Sequence, residues 1–510
     1  MDRGRPGTAS GADTLRAVAT VLLPLVARGT ILRRPRVVAL GERIDADRRL
    51  VRSLARLRAR YGGGPVVLRL GVPGIAERRV VLPLSDEDVR QVLDASPDPY
   101  ATTTPEKRAA LGRFGPHGVL ISDAADRPDR RRWNEAVLDT ARPLHRLAEP
   151  MAAAAREEAA DLLASAGEDG SVDWPAFTDA WYRLARRVTL GAGARDDTAL
   201  TDLLARLRAQ GNWSVLAPRR PALTARFLDR LRVHLDRAEP GSHAAVAAAT
   251  PATARTTPAE QVPQWLFAFD AAGMSAFRAL ALLATHPREL AAVRAELAAS
   301  RPGLQESHLH AATPQEGGFP ATHGSAPTAP PAELPTLRAA VLEAVRLWPT
   351  TPAILRETTA PTELGGVPRP AGPLVLICAA FSHRDRERHG WADDFTPRLW
   401  TDPPPGGRGT AEPPGGRGTA ELFGGMGTAG PPRAALVPFS DGPAVCAGRN
   451  LVLFLTTTFL AAVLEGRDLR MTSAAPLRPG RPLPGTLDPF SLRFTVARPA
   501  PDGSSVRAGA

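Results

Sequence analysis

Cysteine and lysine are scarce in this chain. Only two of its 510 residues are cysteine, Cys378 and Cys446, and they lie far apart. No C-x-x-C pair exists, so a cysteine-rich zinc site is excluded, and a disulfide scaffold is implausible for so long a chain. Lys107 is the one lysine, so the formal net charge of +11 rests on arginine. Those arginines are dispersed, with short clusters such as Arg130-Arg131-Arg132 and no long basic block. Aromatic residues make up 5% of the sequence, too few to mark stacking platforms, so no nucleic acid partner is expected. The arginine excess does allow a basic docking patch for an acidic protein, although an arginine- and alanine-rich bacterial composition gives the same charge. The first residues lack an apolar run followed by a cleavage site. The apolar stretch 18–27 is too short to span a bilayer. The expectation is a cytoplasmic protein with no transmembrane span. The early apolar stretch is then a helix broken near Pro24 and lying on the body, with peripheral membrane contact left open.

What is present is ample apolar material, 43% of residues, enough for a sizeable core. Short β-rich runs occur at 66–70 and 79–84, and the second leads into Ser85-Asp86-Glu87, a helix start in which Ser accepts from free backbone N–H groups. From about 130 to 300 the pattern is largely helical, and a further β-rich run, LVLIC, occupies 374–378. The fold class is therefore mainly α with a minor β-rich part. Residues 302–335 mix Pro, Gly, Ser, Thr and His without apolar periodicity, which reads as a surface insertion. Residues 404–430 contain a nine-residue repeat, PPGGRGTAE, with no apolar face to stack, and read as a second low-complexity insertion. The division expected is an N-terminal segment 1–34, a body 35–498 carrying both insertions, and a disordered tail 499–510.

The second cysteine sits in a patterned loop. Residues 439–450 read FSDGPAVCAGRN, that is F-x-x-G-x-x-x-C-x-G, and an apolar run follows from Leu451. Gly442 and Gly448 allow tight turns and close approach to a flat group. Cys446 lies just before a helix start, where free N–H groups and the helix dipole favour a thiolate. With Phe439, this spacing resembles the haem-binding signature of the cytochrome P-450 family, in which the cysteine is the axial ligand of the iron. The family usually places Arg or His two residues before the cysteine, at a haem propionate; here that residue is Ala444.

Other segments resemble the same family. Residues 335–349 form an amphipathic helix on which Glu343 and Arg346 are neighbours, similar to the family's E-x-x-R pair, which is buried and braces the cysteine loop. Its usual third member, an arginine in a P-x-R segment, is matched one place early by Arg398. Arg356 matches a position that often reaches a haem propionate, and one of Arg130, Arg131 and Arg132 is expected to do the same; Arg131 is taken as that residue. Residues 264–285 form the longest apolar run, read as a buried helix because Asp270 and Arg278 make a membrane span costly. In the family this helix crosses the distal haem face with the pattern A/G-G-x-D/E-T. An ungapped match puts Asp270 on the catalytic acid position and Ala271 on the threonine. A shifted match through Ala272-Gly273 leaves Ser275 and Ala276 there instead.

The resemblance implies the cytochrome P-450 helical prism, haem b as cofactor, and monooxygenation of a small organic substrate with dioxygen. No flavin or ferredoxin signature is fused, so a separate ferredoxin and ferredoxin reductase are implied as electron donors. A peroxide-driven reaction is compatible with the missing threonine, and a haem protein that only binds or senses a ligand is the non-catalytic alternative.

Overall fold

The computed structural model describes residues 7–72, 76–167, 169–214, 217–300, 333–401 and 436–498. Both insertions expected from the sequence, apart from residues 333–335, and the tail 499–510 lie outside them.

The elements that position the site are eight helices and one sheet. The helices are α1 (Ala46–Arg60), α2 (Arg127–Val137), α3 (Ala148–Ser165), α4 (Trp174–Leu190), α5 (Thr198–Gly211), α6 (Pro258–Thr285), α7 (Pro335–Leu347) and α8 (Arg449–Leu464). The sheet strands are β1 (Val66–Val72), β2 (Ala76–Leu82), β3 (Tyr100–Ala101), β4 (Ala353–Thr358) and β5 (Leu374–Cys378), in spatial order β1-β2-β5-β4-β3. Only β2 and β5 run parallel. β5 is apolar at every position because it is central and covered on both faces, whereas β4 alternates and buries Ile354, Arg356 and Thr358. That alternation turns Arg356 inward.

The main core lies where α3, α4, α6, α7 and α8 pack together. α6 is 28 residues long and buried nearly all round through its second half, so its apolar run is a core stripe without a solvent face. It is the one described helix long and apolar enough to cross a membrane, and 78% of its most apolar window is buried inside the fold. Arg278 is tolerated within it because its two terminal nitrogens donate to the carbonyls of Trp348 and Leu487.

Residues 7–34 pack onto this body. Thr8 bridges Val67, and Ala17, Val21 and Leu25 are buried with the sheet's apolar face. The expected break near Pro24 is a π-helical turn, Val18–Leu22, directly before the helix Leu23–Ala27. The wider turn lets the chain continue past a residue that has no N–H to donate.

Candidate active site

The cysteine loop is a tight hairpin tied at several points. Cys446 N–H donates to the carbonyl of Phe439, and Val445 N–H to that of Gly442. Gly442 has φ +65°, and a Cβ there would lie 2.4 Å from the Leu93 carbonyl oxygen, so only glycine fits. Gly448 differs: its backbone is ordinary, and a Cβ would meet only Leu138, at 4.0 Å. The Thr140 hydroxyl donates to the Ala447 carbonyl, and Asn450 to the Arg142 carbonyl. Cys446 itself is exposed, whereas Arg449 and Asn450 beside it are buried. Dense protein around the sulfur raises its thiol pKa, opposed by the Gly448 N–H and by Arg131 and Arg449. The helix-start effect expected from the sequence is thus outweighed by burial. The thiol faces an opening within the fold rather than bulk water.

Glu343 and Arg346 on α7 are fully buried and bidentate, at 2.6 and 2.8 Å. The remaining donors of Arg346 go to the carbonyls of Ala392 and Asp394, while Glu343 accepts from Thr396 N–H and the Trp400 indole, both at 2.8 Å. Trp400 therefore closes the network, and Arg398 is exposed. His383 connects this bundle to the cysteine loop, accepting from Val437 N–H at one ring nitrogen and lying 3.2 Å from the Arg346 carbonyl at the other.

On the other side of the loop a set of cations converges. Arg131 donates to Glu135 and to the Val445 carbonyl, holding the loop directly. Arg130 and Arg132 turn elsewhere, to Ser122 and Asp126 and to Asp129. Arg127, one turn before Arg131, reaches Thr102, and Arg356 reaches Ser96 and Ser440 of the loop. Lys107 donates to the carbonyls of Thr102 and Leu355. Among the described residues, none of Lys107, Arg127 and Arg356 forms an ion pair. Burial, then the charges of Arg356 and Arg127, push the Lys107 ammonium down to about 7; burial and Arg127 hold Arg356 at about 10.

α6 faces an opening at one turn. Ala268 is exposed in an otherwise buried stretch, with Phe267, Asp270 and Ala271 half-buried. Gly273 instead packs against Trp181, whose ring would lie 3.0 Å from a Cβ there, and the Trp181 indole donates to the Phe269 carbonyl. Phe267, Ala268, Asp270 and Ala271 are thus the accessible side chains of this stretch, and Gly273 is not among them. Asp270 is paired with Arg208 of α5 at 2.6 Å, and the Ser275 hydroxyl donates to the Ala271 carbonyl.

A family model described as cytochrome P450 matches residues 271–479, which include α7, the cysteine loop and α8. Over these residues the chain is similar to the cytochrome P450 family. Among curated relatives, cytochrome P450 734A5 of Oryza sativa subsp. japonica is 31% identical over 145 residues, 28% of this chain and 23% of that protein. Cyclooctat-9-en-7-ol 5-monooxygenase of Streptomyces melanosporofaciens is 30% identical over 157 residues, 30% of this chain and 27% of that protein. The matched region thus spans about a quarter of each curated relative. Solved P450 structures share the fold across most of the chain. A retinoic acid-bound cyanobacterial CYP120A1 has a TM-score of 0.61 at 16% identity, covering 86% of this chain and 93% of that one. CYP102L1 has a TM-score of 0.60 at 19% identity, covering 88% and 98%.

P450 proteins bind haem b, and the residues of this chain fit it. Cys446 is exposed, Arg356 donates to Ser440 of the same loop, and among the described residues Lys107, Arg127 and Arg356 have no carboxylate partner; haem carries two propionates that would supply negative charge to such cations. Ala444 offers no donor at the position usual for a propionate contact. Sequence reasoning missed Lys107 and Arg127 although both left a signal. Lys107 is the single lysine of an arginine-rich protein, and Arg127 is one helical turn from Arg131 on the same face. His383 was legible only as part of a His-Arg-Asp segment, because its partners lie 37 and 54 residues away in sequence.

Proposed function

We propose that this protein is a haem-thiolate monooxygenase of the cytochrome P450 kind, in which the Cys446 thiolate would hold the haem iron, oxidising a small organic substrate with dioxygen. The observation that carries the proposal is the pairing of an open Cys446 thiol with the unneutralised cations Lys107, Arg127 and Arg356. Bound haem supplies the oxygen chemistry; thiolate ligation makes it suited to O–O cleavage. Phe439, Gly442 and Gly448 shape the loop. Arg131 and Thr140 hold its carbonyls, and Arg356 bridges it to β4. Ala268 and Ala271 keep the facing turn of α6 small. Electrons come from a separate ferredoxin and its reductase, and exposed Arg142, beside the start of α8, offers an acidic carrier a basic contact. A cytoplasmic location belongs to the same reading.

Proton handling is where this chain is unusual. Ala271 offers no hydroxyl, Ser275 spends its own on a backbone carbonyl, and the Asp270 carboxylate must leave Arg208 before it can pass a proton on. Substrate or ordered water then takes the alcohol's place. The same observation favours a second reading, peroxide-driven oxidation, which needs no electron carrier. A reduced, carbon monoxide-bound spectrum tests thiolate ligation: a strongly red-shifted Soret band supports it and an unshifted band overturns it. Turnover with hydrogen peroxide alone, set against turnover with a reducing system, separates the two readings.

A further inference from the structure

A small cavity, of about 30 Å³, lies between the second half of α6, the loop after α7 and the N-terminal segment. Three guanidiniums line it, Arg28, Arg33 and Arg278, against a single carboxylate, Asp47. Arg28 and Asp47 satisfy each other through two bonds, at 2.6 and 2.7 Å. Arg33 and Arg278 are left with backbone partners: Arg33 donates to the carbonyls of Gly29 and Thr350, and Arg278 to those of Trp348 and Leu487. The Nε–H of Arg278 is buried with no partner among the described residues, in a side chain only 8% exposed.

The acids close by act on this pair only through space: Asp270 is paired with Arg208, while Glu42 and Asp488 feel the charge of Arg278 without a direct contact to it or to Arg33. Burial and the neighbouring arginine charges hold Arg278 down at about 9 and Arg33 at about 10. A guanidinium does not discharge by losing its proton, so two positive charges stand in the interior with carbonyl dipoles as their only direct contacts. An anion entering the cavity would meet both.

We infer that this cavity takes the carboxylate of an acidic organic substrate, with Arg278 and Arg33 as its donors. The inference rests on the monooxygenase reading above and adds a substrate class to it. A carboxylate matches the planar fork of a guanidinium, and its single charge leaves no large surplus against two cations. The remainder of the substrate runs back along α6. Met274 and Arg278, which both line the cavity, follow Ala271 at three and seven residues, so they share its face of the helix. By helix rise the acid group lies roughly 10 Å along α6 from Ala271. The oxidised carbon is therefore several bonds away from the carboxylate.

The test uses the haem-loaded protein in chloride-free buffer, titrated by calorimetry with octanoate, its neutral counterpart octanamide, and acetate. The haem absorption spectrum is followed in parallel. Octanoate should bind about tenfold or more tightly than octanamide, as a charge-assisted bond to a buried guanidinium implies, and should shift the spectrum. R278Q and R33Q should abolish the preference while leaving octanamide binding unchanged. Since Arg278 also ties down two carbonyls, R33Q decides the matter where R278Q folds poorly. Equal affinity for acid and amide, or an undiminished preference in R33Q, overturns the inference. Acetate binding as tightly as octanoate, with no spectral shift from either, marks a free-anion site and overturns the substrate assignment. Failure of the monooxygenase reading shows separately, as a carbon monoxide spectrum without the red-shifted band, and the calorimetric preference does not depend on it.

Discussion

Val437 N–H donates to the Nε2 of His383 at 2.9 Å, and the opposite nitrogen of the same ring lies 3.2 Å from the carbonyl of Arg346. One imidazole thus joins the last turn of α7 to the segment that enters the cysteine loop. The arrangement requires a neutral ring with its proton on Nδ1, since a protonated ring would present N–H to the N–H of Val437. Burial, then the charge of Arg346, lowers the His383 pKa to about 3.

A pH dependence follows from that bridge. The unfolded chain takes up a proton near the ordinary histidine value of about 6.5, and the folded protein does so only near 3. Above 6.5 both states are neutral at this residue and nothing is lost. Between 6.5 and 3 the unfolded state binds more protons, so this residue's contribution lowers stability as pH falls, by roughly 1.4 kcal/mol per unit at most. Urea unfolding at pH 7 and pH 5 should show a smaller loss in H383Q, which keeps an acceptor at that end without a titrating ring. Equal pH slopes in the two proteins would show that the ring does not stay neutral.

The Glu343–Arg346 pair is held on every side, so its members are not interchangeable with apolar residues one at a time. E343A leaves a buried guanidinium without its carboxylate, an expected loss of about 3–5 kcal/mol. W400F removes one hydrogen bond to the same carboxylate and should cost about 1.5–3 kcal/mol. R398A touches an exposed side chain and should change stability by under about 0.5 kcal/mol. Denaturant midpoints of W400F and R398A check the assignment, and a larger loss in R398A would return Arg398 to the network.

How far the sequence reached depended on whether partners were local. The E-x-x-R pair, the F-x-x-G-x-x-x-C-x-G loop and the long apolar helix each sit on one element with a fixed spacing, so they were legible without coordinates. The register of α6 was ambiguous in sequence, and the packing of Gly273 against Trp181 is a contact that spacing along one helix does not carry. Trp400 in place of Arg398 was hidden because both residues lie on one short turn, and the turn's rotation decides which of them reaches Glu343. The cation set was hidden for another reason. Lys107, Arg127 and Arg356 come from three distant segments, and no periodicity links them. The cavity around Arg278 was concealed likewise: the sequence marked this arginine only as a cost to a membrane span.

Lys107 makes a prediction about haem retention. K107M removes one of three unpaired cations next to the cysteine loop, so haem should dissociate to apomyoglobin faster, with the thiolate-type spectrum of the remaining holoprotein unchanged. The pH dependence of stability carries an independent signature in protein prepared without haem. There the folded pKa is about 7 and the unfolded value about 10.4. Within that window the unfolded chain holds the extra proton, so stability rises with pH; below 7 the cost of the buried charge is fully present. A propionate beside the ammonium would raise the folded pKa and flatten the slope. Thermal unfolding from pH 7 to 10, with and without haem and in K107M, should therefore show a slope in haem-free wild type alone. An equal slope after haem loading would place Lys107 away from the propionates.

The Asp270–Arg208 pair and the alanine next to it make the last prediction. At 2.6 Å the carboxylate is committed to a guanidinium on α5, and Arg208 also contacts the Tyr182 hydroxyl and the Ile31 carbonyl. D270N leaves that buried guanidinium without its anion, so it should reduce both stability and turnover, whereas R208K should spare stability more than D270N because the charge remains. A271T restores an alcohol one residue beyond the acid. If substrate or water already supplies the missing group, the fraction of electrons recovered as product should be unchanged in A271T with a well-fitting substrate and should rise only with poor ones. Product formed per reducing equivalent consumed is the measurement. A sharp rise with every substrate would mean that the chain itself lacks a needed hydroxyl and nothing in the bound state replaces it. Peroxide-driven turnover should be insensitive to R208K, since that route takes its protons from the oxidant and asks nothing of the Asp270 pair.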